Sequence, residues 1–117
     1  MSYYVSASGN VSFKPRTNVK EIEKRFDDLL EPYDGDVSSF EDRLDIWSYF
    51  SWNSIDTDFE DLLADIADKC AEGEIEFSAE DGEFWKYEFN SETKKWEAHN
   101  GVKAYEFSYE LKKEGEE

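Results

Sequence analysis

In the first thirteen residues apolar side chains hold the odd positions, Tyr3, Val5, Ala7, Val11 and Phe13 with Gly9 among them. Tyr4, Ser6, Ser8, Asn10 and Ser12 fill the even ones. A period of two marks a half-buried strand, because successive side chains point to opposite sides. The parity runs unbroken through Gly9, which predicts one long strand, bulged at that glycine, rather than a hairpin turning at Gly9-Asn10. The period then changes to that of a helix. Thr17 or Asn18 is set to cap it, Asn18 and Glu21 have capping-box spacing, and Val19, Ile22, Phe26, Leu29 and Leu30 form one apolar stripe. Pro32 and Gly35 end it.

An acidic connection from Asp34 to Asp42 follows, holding a short strand at Val37 to Phe40. From Leu44 to Trp52 both parities are apolar or aromatic, as in a strand covered on both faces, with the outer face free to meet a partner. A second helix is predicted from Asp56 or Thr57 to about Ala71. Its stripe is Ile55, Phe59, Leu62, Leu63, Ile66 and Cys70, and Gly73 is its stop. Antiparallel strands come next: Glu74 to Ser78, a turn at Glu80-Asp81-Gly82, Glu83 to Phe89, a turn near Asn90 to Thr93, and Lys95 to His99. Asn100-Gly101 is then a two-residue hairpin signal before Val102 to Tyr109. Together these predict one α+β domain over residues 1–111, with a single antiparallel sheet and two helices packed on one face, a ferredoxin-like variant being one such arrangement. Residues 112–117 form a charged tail expected to fray.

The segment Glu74-Ile75-Glu76-Phe77-Ser78, through Glu80-Asp81-Gly82-Glu83-Phe84-Trp85-Lys86-Tyr87 and on to Trp96, resembles small uncharacterised acidic proteins of bacterial phages and mobile elements. The resemblance covers roughly Phe50 to Tyr105 and implies a source rather than an activity.

Charge changes the picture more than any motif. Residues 21–83 hold 22 carboxylates against Lys24, Arg25, Arg43 and Lys69, a formal -18 in a chain whose total is -17. Such a field repels nucleic acid and anionic membrane and attracts basic protein surfaces. Disorder is not expected, since four Trp, seven Tyr and nine Phe supply ample apolar area. A single cysteine and the lack of any long apolar run predict a soluble protein of a reducing compartment such as the cytoplasm, which the resemblance above implies is that of a bacterial host cell.

Catalytic chemistry is poorly supplied. The one histidine, His99, falls beside the predicted Asn100-Gly101 turn, Cys70 falls on an apolar stripe, and there is no phosphate-binding glycine loop. Neither acidic run matches a calcium loop. No enzyme activity, cofactor or metal is expected. The sharper signal is a ridge on the second helix, Asp58, Asp61, Asp65, Asp68 and Glu72, spaced 3, 4, 3 and 4. Asp27, Asp28, Glu31, Asp34, Asp36, Glu41 and Asp42, with Asp45, form a candidate second row.

Two such rows imitate a duplex backbone. The leading expectation is therefore a non-catalytic DNA mimic that blocks the basic channel of a host defence nuclease or effector complex, of the anti-CRISPR or anti-restriction kind. The alternatives are an immunity protein against a basic nuclease toxin, and a structural or regulatory phage protein that uses its aromatic sheet face as an interface. For that face Trp47, Tyr49, Trp52, Phe84, Trp85, Tyr87 and Trp96 are the candidates, with a homodimer through the sheet as a further form.

Overall fold

In a computed structural model, which describes residues 4–33, 35–51, 56–101 and 105–111, the alternating amino-terminal segment becomes β1 (Tyr4–Phe13). It pairs antiparallel on both sides, with β3 (Arg43–Ser51) and β4 (Cys70–Ala79). Its pairing shifts between Ser12 and Phe13, not at Gly9. Gly9 is needed for another reason: a Cβ there would collide with the Glu74 backbone of β4.

The Asn18 side chain accepts the Glu21 N–H at 3.3 Å, capping α1 (Val19–Leu30), whose Val19, Ile22, Phe26 and Leu30 are buried. A 3-10 turn at Glu31–Tyr33 and the short β2 (Val37–Phe40) follow. After β3 come α2 (Asp56–Ile66), β4, β5 (Phe84–Asn90), β6 (Lys95–Gly101) and β7 (Tyr105–Glu110). The strands lie in the order β2-β3-β1-β4-β5-β6-β7, every neighbouring pair antiparallel. Elements β1 to β4 with their two helices thus follow the β-α-β-β-α-β order of a ferredoxin-like unit, and β5 to β7 prolong the sheet as a meander.

Both helices pack on one face. Phe26 of α1 meets Phe59 of α2 edge-on at 5.6 Å, and Phe59 meets Phe77 and Tyr87 of the sheet, each at 5.5 Å. The predicted α+β architecture is therefore the observed one. Among the described residues, no helix is long and apolar enough to cross a membrane.

Four local expectations are overturned. The second helix ends at Ile66, five residues before Ala71, and after a 3-10 turn the chain enters β4 at Cys70. Gly73, expected as a helix stop, is a strand residue opposite Val11, and its missing side chain makes room for the Trp96 ring. A glycine after an apolar stripe marks either a cap or a close approach, and only tertiary packing distinguishes them. Asn100 and Gly101 are likewise strand residues, opposite Trp85 and Phe84. The preceding turn decides this. Asn90 accepts the Glu92 and Thr93 N–H groups through its side chain, Lys94 adopts a φ of 63°, and the resulting register carries β6 through Asn100 to Gly101. Finally, β3 is covered on one face only, with Leu44 and Ile46 buried and Trp47 and Tyr49 exposed. Asp34, Trp52, Ile55, residues 102–104 and residues 112–117 lie outside the described residues.

Candidate functional site on the open face of the sheet

The helix-side acids do not form the continuous ridge expected of them. Asp58, Asp61 and Asp65 are exposed on α2, and at 100° per residue they share one stripe, but it is only about 10 Å long. Asp68 belongs to the 3-10 turn and lies 3.8 Å from Lys69, while Glu72 is on β4 and faces away from the helices. Arg25 of α1 reaches across to Asp65 at 2.8 Å, so this chain's own cation occupies one of the three remaining carboxylates. The second row is split as well. Asp27, Asp28 and Glu31 are exposed near the end of α1, and Lys24 pairs with Asp28 at 3.1 Å. Asp36 immediately precedes β2, its N–H donating to Ser48 Oγ at 2.9 Å. Glu41 and Asp42 form the β2–β3 turn at the other end of the sheet, where Phe13 N–H donates to the Asp42 carbonyl at 2.8 Å. Asp45 is on the opposite face of the sheet and pairs with Arg43 at 3.2 Å.

The open face carries a more ordered arrangement. Cross-strand partners share a face, so the register sets Trp47 beside Ser8 and Tyr49 beside Ser6. Across β1, Ser8 meets Glu76 and Ser6 meets Ser78, which in turn meets Phe84. Small hydroxyl residues between two rows of larger side chains leave a trough of about 660 Å³. Trp47 is 83% exposed and Tyr49 61%, and Tyr49 stacks on Tyr4 with ring centroids 5.3 Å apart. Phe40, 65% exposed, extends the aromatic side on the edge strand β2. Of the other aromatics singled out from the sequence, Trp85, Tyr87 and Trp96 are core, and Phe84 is half-buried in the trough wall.

Beyond the trough the same face turns acidic. Glu74, Glu88, Glu97 and Glu110 stand directly opposite one another on β4, β5, β6 and β7, a row of four carboxylates across the sheet. Lys86 approaches Glu74 at 3.5 Å and Lys95 approaches Glu110 at 3.9 Å. His99, expected in a turn, stands on β6 beside the two inner glutamates, its side chain only 19% exposed. The strand parity of Glu97 and His99, two residues apart, was the available signal for this grouping. The Asn100-Gly101 pattern obscured it.

On the helix side the one cysteine is inert. Burial pushes the Cys70 thiol up to about 12, only partly countered by the Trp96 indole N–H and further raised by Asp68, and the thiol donates to the Ile66 carbonyl at 3.3 Å. Glu60 has a structural part. Its carboxylate accepts the Tyr87 hydroxyl at 2.9 Å and the Tyr109 hydroxyl at 2.7 Å, tying α2 to β5 and β7. Compared with known protein families, with curated proteins and with solved structures, the chain matches none.

Proposed function

We propose that the protein is a non-catalytic binding protein that takes a basic surface of a partner protein on the open face of its sheet. One observation carries this: Trp47, a large apolar ring, stands 83% exposed beside a hydroxyl-floored trough on the same face as Glu72, Glu74 and Glu76. Exposed aromatic patches mark interaction sites, and rigid Trp and Tyr rings bind at small entropic cost. Lysine and arginine side chains are attracted to aromatic faces as well as to carboxylates, so both halves of the face suit one cationic partner. The formal charge of -17 steers that partner inward at low salt.

Within this class the partner is a basic nucleic-acid-binding protein of the bacterial cytoplasm. It is a defence nuclease or effector complex if the chain is an inhibitor from a phage or mobile element, and a nuclease toxin if the chain is an immunity protein. In the nucleic-acid-mimic form Asp58 and Asp61, with Asp27, Asp28 and Glu31, take the place of phosphates. That helix-side form rests on fewer aligned carboxylates than the spacing in the sequence implies.

Capture from bacterial extract at low and high salt, with the retained protein identified and its binding then measured, tests both forms. Trp47→Ala with Tyr49→Ala is expected to cost at least tenfold in affinity while Asp58→Lys with Asp61→Lys costs less. Undiminished binding by the aromatic double variant would sink the sheet-face proposal. Loss confined to the helix variant would establish the mimic form instead.

A further inference from the structure

A row of four glutamates across adjacent strands is costly, because neighbouring strands are only about 4.8 Å apart and like charges directly opposite destabilise a sheet. The outer two have lysines. The inner two, Glu88 and Glu97, converge on one imidazole: His99 Nε2 lies 3.7 Å from Glu88 Oε1 and 3.6 Å from Glu97 Oε1. One ligand atom from each of the three residues falls within 4.8 Å of the other two.

These separations are informative. A protonated imidazole hydrogen-bonded to carboxylate closes to about 2.7–2.9 Å, well short of what is observed. Ligands held at about 2.1 Å around a tetrahedral ion are about 3.4 Å from one another, within a few tenths of an ångström of the two distances here. Both His99 and Glu97 are also oriented from behind. His99 Nδ1 is 2.6 Å from Ser108 Oγ, and the tautomer with its proton on Nδ1 leaves the Nε2 lone pair facing the carboxylates. Asn90 Nδ2 donates to Glu97 Oε2 at 3.2 Å, leaving Oε1 to the histidine side. Such outer partners fix the ring and the carboxylate of metal ligands.

We propose that Glu88, Glu97 and His99 form a site for a divalent transition metal, zinc by preference. Ser108 and Asn90 orient the ligands, and a fourth position opens toward a cleft of about 240 Å³ bordered by Ser108 and Glu110. One nitrogen and two carboxylate oxygens suit zinc and its neighbours better than calcium or magnesium, which favour all-oxygen shells. Two positive charges between Glu88 and Glu97 remove the repulsion in the middle of the row and clasp β5 to β6.

The test uses the full untagged chain, stripped with chelator and titrated with zinc. His99 is the only histidine, so its ring resonances report binding without ambiguity. Saturable one-to-one binding, a shift of those resonances and a rise in thermal midpoint with free zinc are expected, since a ligand that binds only the folded state stabilises it. Ser108→Ala should weaken binding about 10- to 100-fold. Glu97→Gln should abolish the zinc-dependent rise while its metal-free midpoint stays level or increases, because a like charge has left the row; a misfolded variant would show a lower midpoint. Glu76→Gln, on the same face outside the cluster, should bind as the parent does. Failure to bind zinc at millimolar concentration, or an equal response to calcium, would overturn the site. So would unchanged zinc binding in Glu97→Gln.

Discussion

The two faces of the sheet are built on different terms. On the helix face the acids sit on curved, separated elements and several are tied to this chain's own cations, as in Arg25–Asp65 and Lys24–Asp28. Beneath them the rings of Phe26, Phe59, Phe77 and Tyr87 interlock. Among the described residues the open face has no such layer above it. There the register aligns side chains into rows: aromatic and hydroxyl residues over β3 and β1, then glutamates over β4 to β7. A high count of carboxylates therefore does not locate the functional surface. A helix of eleven residues spreads three aspartates over one short stripe, whereas the sheet brings four glutamates from four strands into direct juxtaposition.

The largest expected effect breaks both faces together. Phe59 is fully buried and touches α1 and the sheet at once, so Phe59→Ala should cost about 3–5 kcal/mol of stability, measured by chemical denaturation. A loss under about 1 kcal/mol would mean that the helix layer is not fastened to the sheet through this ring.

The open face should behave oppositely. Trp47→Ala removes an exposed side chain and should change stability by no more than about 0.5 kcal/mol, while its effect appears in partner affinity. A large stability loss would show that Trp47 is covered, by a second copy or otherwise, and would erase the contrast between the faces.

Cys70 lies at the seam where the chain leaves α2 and enters β4, and it sharpens the comparison through pH. Burial raises its pKa in the folded chain to about 12, from the 9.0 of an unperturbed thiol. Between those values the unfolded chain has lost the thiol proton that the folded chain keeps, so stability must fall as pH rises through this window. Below about 9 the thiol has no pH-dependent effect. Denaturation midpoints followed from pH 8 to 11 should decline more steeply for the parent than for Cys70→Ala; parallel curves would contradict the burial.

The smallest effect concerns the Arg25–Asp65 bridge. Both side chains are about half exposed, so Arg25→Ala should cost on the order of 0.5 kcal/mol or less at low salt and nothing measurable at 1 M salt. A larger, salt-resistant loss would indicate that the bridge, rather than the aromatic core, holds α1 to α2.

Legibility from the chain differed by the range of the signal. The Asn18 cap with the stripe from Val19 to Leu30, the alternation of β1 and the Asp81-Gly82 turn all lie within a few residues of what they specify, and each was readable. Gly73 and Asn100-Gly101 were misleading for a common reason. Each is a local turn or cap signal overridden by pairing with a neighbouring strand, β1 for Gly73 and β5 for Asn100-Gly101. The acidic ridge failed with Gly73, because its last members depended on a helix that ends at Ile66. The trough and the His99 cluster were not readable as sites, since Ser6, Ser8 and Ser78 are ordinary polar residues until strand order places them between Trp47 and Phe84.

By itself the order of residues determined that this chain forms alternating strands and two amphipathic helices around an aromatic core, and that it carries a formal charge of -17. Hydrophobic period and net charge are local or summed properties, which need no knowledge of what pairs with what. Only the tertiary structure decided which side chains stand together: Trp47 over a serine floor, and Glu88 and Glu97 about one imidazole. Those groupings come from register between strands, and register is set by the packing of the whole sheet against the helices.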